Sequence, residues 1–166
     1  MLECSVATNA LHITLRPQQE ADYPFLQQLY CNVREPELAV VPWPPEAKTA
    51  FLLSQCDLQW RHYSTCYKDA EFLIVEHKGK PVGRIYLYRG EKDLRIVDIS
   101  ILSALRNRGI GSALLQSVLN VANLSGNTVS MHVEKFNPAQ NLYRRLGFCE
   151  IGENGPYWLM KWPRQE

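Results

Sequence analysis

The chain has 166 residues, of which 46% are hydrophobic and 21% charged. That length and balance fit one folded domain and exclude a chain that stays disordered. Its 18 Lys and Arg against 17 Asp and Glu give a formal net charge of +1, which argues against a coat for nucleic acid or an anionic membrane.

The five cysteines, Cys4, Cys31, Cys56, Cys66 and Cys149, are odd in number and form no CxxC pair. Neither a zinc site nor a disulfide framework is expected, and the thiols read as reduced and buried. The first residues, MLECSVATNA, lack a basic stretch followed by an apolar run, so they do not read as a signal peptide. No segment approaches the ~18 apolar residues of a membrane helix. The expectation is a cytoplasmic, metal-free domain over residues 11–163 behind a flexible lead at 1–10.

Alternation over 12–16, ending at Pro17, predicts a first strand. Phe25, Leu26, Leu29 and Tyr30 fall at helical spacing and predict a helix over 20–33. Prolines at 42, 44 and 45 predict a loop, followed by a second helix over 46–63 with Phe51, Leu52, Leu58 and Trp60 among its apolar residues. Strands are expected over 72–75 and 82–88, joined by His77-Lys78-Gly79-Lys80, and then over 94–102. A glycine turn leads into a helix ending near 124, with Leu115, Val118, Leu119 and Ala122 on one face. A strand over 128–133, a short helix over 138–146 opened by Pro138, and strands over 148–152 and 157–162 complete the chain. The order β-α-α-β-β-β-α-β-α-β-β defines a single α/β domain.

The glycine turn carries the chemistry. A strand runs into Arg106-Asn107-Arg108-Gly109-Ile110-Gly111, where a helix begins. A helix N-terminus presents unpaired N–H groups and a partial positive charge. Glycine lets that backbone approach a phosphate closely, and Arg106 and Arg108 add charge, so the turn reads as a pyrophosphate cradle. Neither a P-loop nor the dinucleotide GxGxxG pattern is present.

Arg106-x-x-Gly109-x-Gly111 resembles the R/Q-x-x-G-x-G/A motif of the GNAT superfamily, the acyl-coenzyme A-dependent N-acyltransferases. Further along, Asn137-Pro138-Ala139-Gln140-Asn141-Leu142-Tyr143-Arg144-Arg145-Leu146-Gly147-Phe148 is similar to the family's N-x-A-x-x-LY-x-x-x-GF segment. The resemblance implies a GNAT-like, mostly antiparallel mixed sheet flanked by helices. It implies that the backbone of Asn107, Arg108, Gly109, Ile110, Gly111 and Ser112 binds the pyrophosphate of acetyl-coenzyme A, beside Arg106. It further implies a strand that splays at a bulge, with main chain at Ile99 and Ile101 pairing with the pantetheine arm, and cofactor contact at Asn137. Six residues separate Asn137 from Tyr143 where many members have seven, which allows a one-residue shift at Asn137.

In the same way Tyr143 resembles the tyrosine that protonates the departing thiolate. A phenol of pKa ~10 suits a thiolate of pKa ~8.5. The acceptor amine must lose a proton before it attacks. Many members carry Glu immediately before the strand Asp, but here that pair is Val97-Asp98. His132, in the Met131-His132-Val133 setting of the next strand, is the leading base, Asp98 the second and Glu134 the third. Tyr30, Arg34, Glu35, Trp43, Tyr86 and Tyr157 are the expected acceptor-side residues. The implied activity is acetyl transfer from acetyl-coenzyme A to a primary amine of a small molecule or protein, by direct attack in a ternary complex. The partners are then these two substrates, without nucleic acid or membrane, around a monomer or homodimer. The competing reading is a coenzyme A-binding sensor or regulatory module without turnover, and nucleotide binding by the same turn is a third.

Overall fold

The computed structural model describes residues 11–163. The lead predicted over 1–10 lies outside the described residues. The elements are β1 (Ile13–Pro17), α1 (Tyr23–Arg34), α2 (Pro45–Cys66), β2 (Glu71–His77), β3 (Lys80–Arg89), β4 (Asp93–Ile101), α3 (Ile110–Ser125), β5 (Thr128–Glu134), α4 (Gln140–Arg145), β6 (Cys149–Asn154) and β7 (Tyr157–Trp162). They follow the predicted order. Seven strands form one sheet in the order β1-β2-β3-β4-β5-β7-β6, and only β4 and β5 run parallel.

The α3 face of the sheet is an apolar core. Ile110, Leu114, Leu115, Val118, Leu119 and Ala122 repeat at helical spacing and are buried against alternate residues of the strands, among them Leu87, Ile96, Val129, Met131 and Met160. Burying each large aliphatic side chain contributes about 1.5–3 kcal/mol, which makes this layer the main anchor of the fold.

The opposite face is covered by α1 and α2. Leu26, Leu29, Leu52, Cys56, Ile74 and Tyr86 are buried there outside the α3 core. Trp60 meets Phe72 edge-on with centroids 5.3 Å apart, and Tyr63 meets Tyr86 at 5.8 Å. Charge is buried on this face too, at Arg84 on β3.

Several boundaries depart from the sequence reading for local reasons. Residues Glu20–Asp22 form a 3-10 turn, and the α-helix begins at Tyr23. Pro45 does not belong to the loop; it opens α2, where a missing N–H costs nothing, and the helix continues three residues beyond 63. Only Leu52 and Cys56 of α2 are buried, and Phe51 and Leu58, named among its apolar residues, are exposed. Pro138 precedes α4 instead of starting it. Cys56 is the buried thiol among the described cysteines; Cys31 and Cys149 are half-buried and Cys66 is exposed.

Candidate active site

The centre of the sheet opens. β4 and β5 pair in register from Asp93↔Thr128 to Ile96↔Met131, and their pairing stops there. On its other edge β4 stays bound to β3, but the register shifts: Tyr86 opposes Asp98 while Leu87 opposes Ile96. Val97 is therefore the extra residue of a bulge. A bulge bends its strand and increases the local twist, and here it carries the rest of β4 away from β5. Glycine holds β3 and β4 together beyond the bulge. A Cβ on Gly83 would lie 2.3 Å from the Ser100 carbonyl oxygen, closer than any side chain allows.

Ile99 and Ile101 lie on the opened stretch, paired with Ile85 and Gly83 on β3. The Ile101 carbonyl already accepts a bond from Arg106 Nε at 3.3 Å. This bond draws the Arg106 side chain back toward β4 at the mouth of the glycine turn.

The turn has the conformation that its glycine and asparagine permit. Asn107 has φ 60° and Gly109 φ 82°, both left-handed. The first amide tied within the helix is that of Ala113, to the Gly109 oxygen at 3.0 Å. The amides of residues 107–112 meet no acceptor among the described residues. Arg106 and Arg108 are exposed beside them. A group of free N–H donors at the start of a 16-residue helix fits a phosphate-bearing ligand.

Tyr143 of α4 reaches the split from the α3 side. It is buried, with its ring 6.1 Å from that of Phe148. Burial, and behind it the Asp98 carboxylate, push its phenol up to about 12. Its hydroxyl meets no hydrogen-bond partner among the described residues, so a phenolic proton is available. Asn137 sits where β5 turns toward α4, and its Oδ1 accepts the Ala139 amide at 2.9 Å. Gln140 was not singled out by the sequence. It is buried, and its Nε2 donates to the Lys135 and Asn137 carbonyls at 2.6 and 3.0 Å, fastening α4 and thereby Tyr143.

Three titratable groups line the α1/α2 side of the split. Asp98 accepts bonds from Arg84 Nη2 at 2.7 Å, Ser100 Oγ at 2.8 Å and the Tyr63 hydroxyl at 3.2 Å. Burial pushes the Tyr63 phenol up, with the Asp98 charge adding to it. His132 is exposed, one residue beyond the last β4–β5 pair, with Nδ1 2.9 Å from Arg95 Nη1. A guanidinium only donates, so Nδ1 accepts and Nε2 carries the proton. Partial burial, and then Arg95, lower the His132 pKa. Glu134 shares this face because β5 continues unbroken to it, and it takes Arg34 Nη1 at 2.8 Å.

The other acceptor-side candidates separate. Tyr30 and Arg34 line a cleft of about 200 Å³ with Glu37, Leu38, Phe51 and Leu52. Trp43 stands edge-on to Phe51, centroids 5.5 Å apart. Tyr86 is fully buried and donates to Gln18, so it is a structural residue. Tyr157 is exposed on the outer hairpin. Among the described residues, no group of three or more His, Cys, Asp or Glu could hold a metal, and no helix is long and apolar enough to cross a membrane.

Comparison with known proteins bears on this geometry. The model of the acetyltransferase (GNAT) family matches residues 26–148. An N-alpha-acetyltransferase of Sulfurisphaera tokodaii is 32% identical over 98 residues, covering 50% of this chain and 59% of the relative. The match thus spans less than two thirds of that protein. Among solved structures, the PaiA N-acetyltransferase of Thermoplasma acidophilum in complex with coenzyme A is similar with a TM-score of 0.68 and 17% identity, over 90% of this chain and 97% of that one. An acetyltransferase from Thermus thermophilus has a TM-score of 0.67 and 20% identity, over 93% and 98%.

Proposed function

Since the chain belongs to the acetyltransferase (GNAT) family, we propose that it transfers an acetyl group from acetyl-coenzyme A to a primary amine by direct attack in a ternary complex. One observation carries this reading: free amides at a left-handed glycine turn, an unpaired strand edge and a buried phenol converge on one split in the sheet. The amides of residues 107–112 bind the pyrophosphate, with Arg106 and Arg108 supplying charge. The opened edge at Ile99 and Ile101 offers main chain to the pantetheine arm.

Tyr143 keeps its proton at neutral pH and gives it to the departing sulfur. Its pKa of about 12 makes it a donor to the thiolate and not a base for the amine. On the acceptor side, His132 is neutral at pH 7, the form a base requires, and takes the amine proton when Arg95 yields Nδ1. Asp98, fixed by three donors, acts as a stationary charge beside Tyr143. The cleft of Tyr30, Arg34 and Phe51 receives the acceptor. Similarity to an N-alpha-acetyltransferase favours the α-amine of a peptide or protein over a small amine. A cytoplasmic enzyme needing no metal fits this reading.

The test is a screen of acceptors, from peptide N-termini and lysines to polyamines, amino acids and aminoglycosides, that follows thiol release from acetyl-coenzyme A. Release that depends on one amine class and forms the acetylated product supports the proposal. Coenzyme A binding without transfer to any acceptor would leave a sensor or regulatory module. Preference for ATP over coenzyme A in calorimetry would overturn the assignment of the turn to coenzyme A.

A further inference from the structure

A second hollow lies on the α1/α2 face, away from the split. It has a volume of about 670 Å³ and is lined by Gln18, Gln19, Glu20, Tyr23, Leu26, Asp57, Trp60 and Phe72. This is within the ~300–1,000 Å³ range of small-molecule sites. The chain from β1 into α1 forms one wall, the middle of α2 another, and β2 the floor. None of the residues that form the candidate active site lines it.

Its walls combine two kinds of group. Tyr23, Trp60 and Phe72 are aromatic and only partly buried, and Trp60 is held edge-on to Phe72 at 5.3 Å. Glu20 and Asp57 supply two carboxylates, while no Lys or Arg is among the lining residues. Glu20 is exposed, and its carboxylate has no ion-pair or hydrogen-bond partner among the described residues. Asp57 is bound to Arg61 at 2.8 Å, in a pair exposed on both sides, which a competing cation can displace. Gln18 uses its Oε1 for the Tyr86 hydroxyl, so its amide N–H groups remain to donate.

We propose that this hollow binds a small organic cation: an ammonium group on an apolar body. Aromatic faces attract such a cation through their ring quadrupoles, and the two carboxylates complement its charge. Tyr23, Trp60, Phe72 and Leu26 take the apolar part out of water. An anion meets two like charges, and a neutral hydrocarbon forfeits them.

The test uses benzyltrimethylammonium, which has no nitrogen that can be acetylated and therefore cannot be consumed as an acceptor. Its binding to the full chain is measured by calorimetry, with benzoate as the anionic counterpart. The proposal expects saturable binding of the cation and none of benzoate. Trp60→Leu weakens the cation at least tenfold, and the double variant Glu20→Gln/Asp57→Asn weakens it by a similar factor. The double variant keeps the shape of both side chains and breaks only the exposed Asp57–Arg61 pair, so it decides the matter if Trp60→Leu fails to fold. Absence of binding at millimolar cation, equal binding of benzoate, or an affinity that both variants leave unchanged would each overturn the proposal. Because the readout is binding, the result stands apart from whether acetyl transfer is found.

Discussion

The two faces of the sheet are held by different chemistry. Against α3, apolar side chains interlock, and every helix position that meets the sheet could be replaced only by something of similar shape. Against α1 and α2, Arg84, Asp98 and Tyr86 of the sheet join Tyr63 of α2 in a bonded cluster, whose members hold one another in place. The first face sets stability and carries the glycine turn at its helix start. The second gives up apolar packing in order to place charge beside the split in the sheet.

This contrast predicts where substitution costs most. Arg84→Met leaves the Asp98 carboxylate without its strongest partner in a buried site, and is expected to destabilise by about 3–5 kcal/mol in urea unfolding. The pair replaced together, Arg84→Met/Asp98→Leu, recovers much of that stability but not the activity, since Asp98 no longer stands beside Tyr143. Recovery of both would mean that the cluster serves packing alone. On the other face Leu115→Ala, at a fully buried position, costs about 2–5 kcal/mol through the cavity it leaves. Its loss is insensitive to pH and leaves acetyl-coenzyme A binding intact. Gly109→Ala is smaller. Forcing a Cβ into φ 82° costs about 1–2 kcal/mol and weakens acetyl-coenzyme A in calorimetry, because the amides of the turn shift with it.

The smallest effect lies at the rim of the α1/α2 face. The Arg16 guanidinium grips the Asp22 carboxylate with two bonds of 2.7 Å and holds it below the usual carboxylate range. A lowered folded pKa contributes stability above the unfolded value, about 3.9, and that contribution is lost as pH falls through the folded value. Asp22→Asn should therefore melt earlier than wild type at pH 7, and the gap should close in acid. A gap that persists unchanged in acid would assign the loss to something other than the ion pair.

The same contrast explains what the sequence made legible. The α3 layer follows from spacing: Leu115, Val118, Leu119 and Ala122 repeat with the helix period, and their strand partners alternate. The glycine turn was legible because left-handed backbone leaves a residue signature at Gly109. The α1/α2 side left no comparable pattern. Its 22-residue helix buries only Leu52 and Cys56, and its apolar Phe51 and Leu58 are exposed, so the apolar residues of α2 trace no single inner face. Arg84 and Gln140 gave no signal, because their partners lie on other strands, on another helix or on backbone carbonyls. Asp98 could not be oriented from alternation, since the bulge at Val97 breaks the period of two just before it.

A comparison of wild type with Tyr143→Phe, on the best acceptor found, decides whether this phenol is the general acid. The substitution removes one hydroxyl that bonds to nothing among the described residues, so the fold should stand. Affinity for acetyl-coenzyme A should be unchanged and kcat should fall by about 100-fold or more, as expected for loss of a positioned general acid. Turnover equal to wild type would contradict that role.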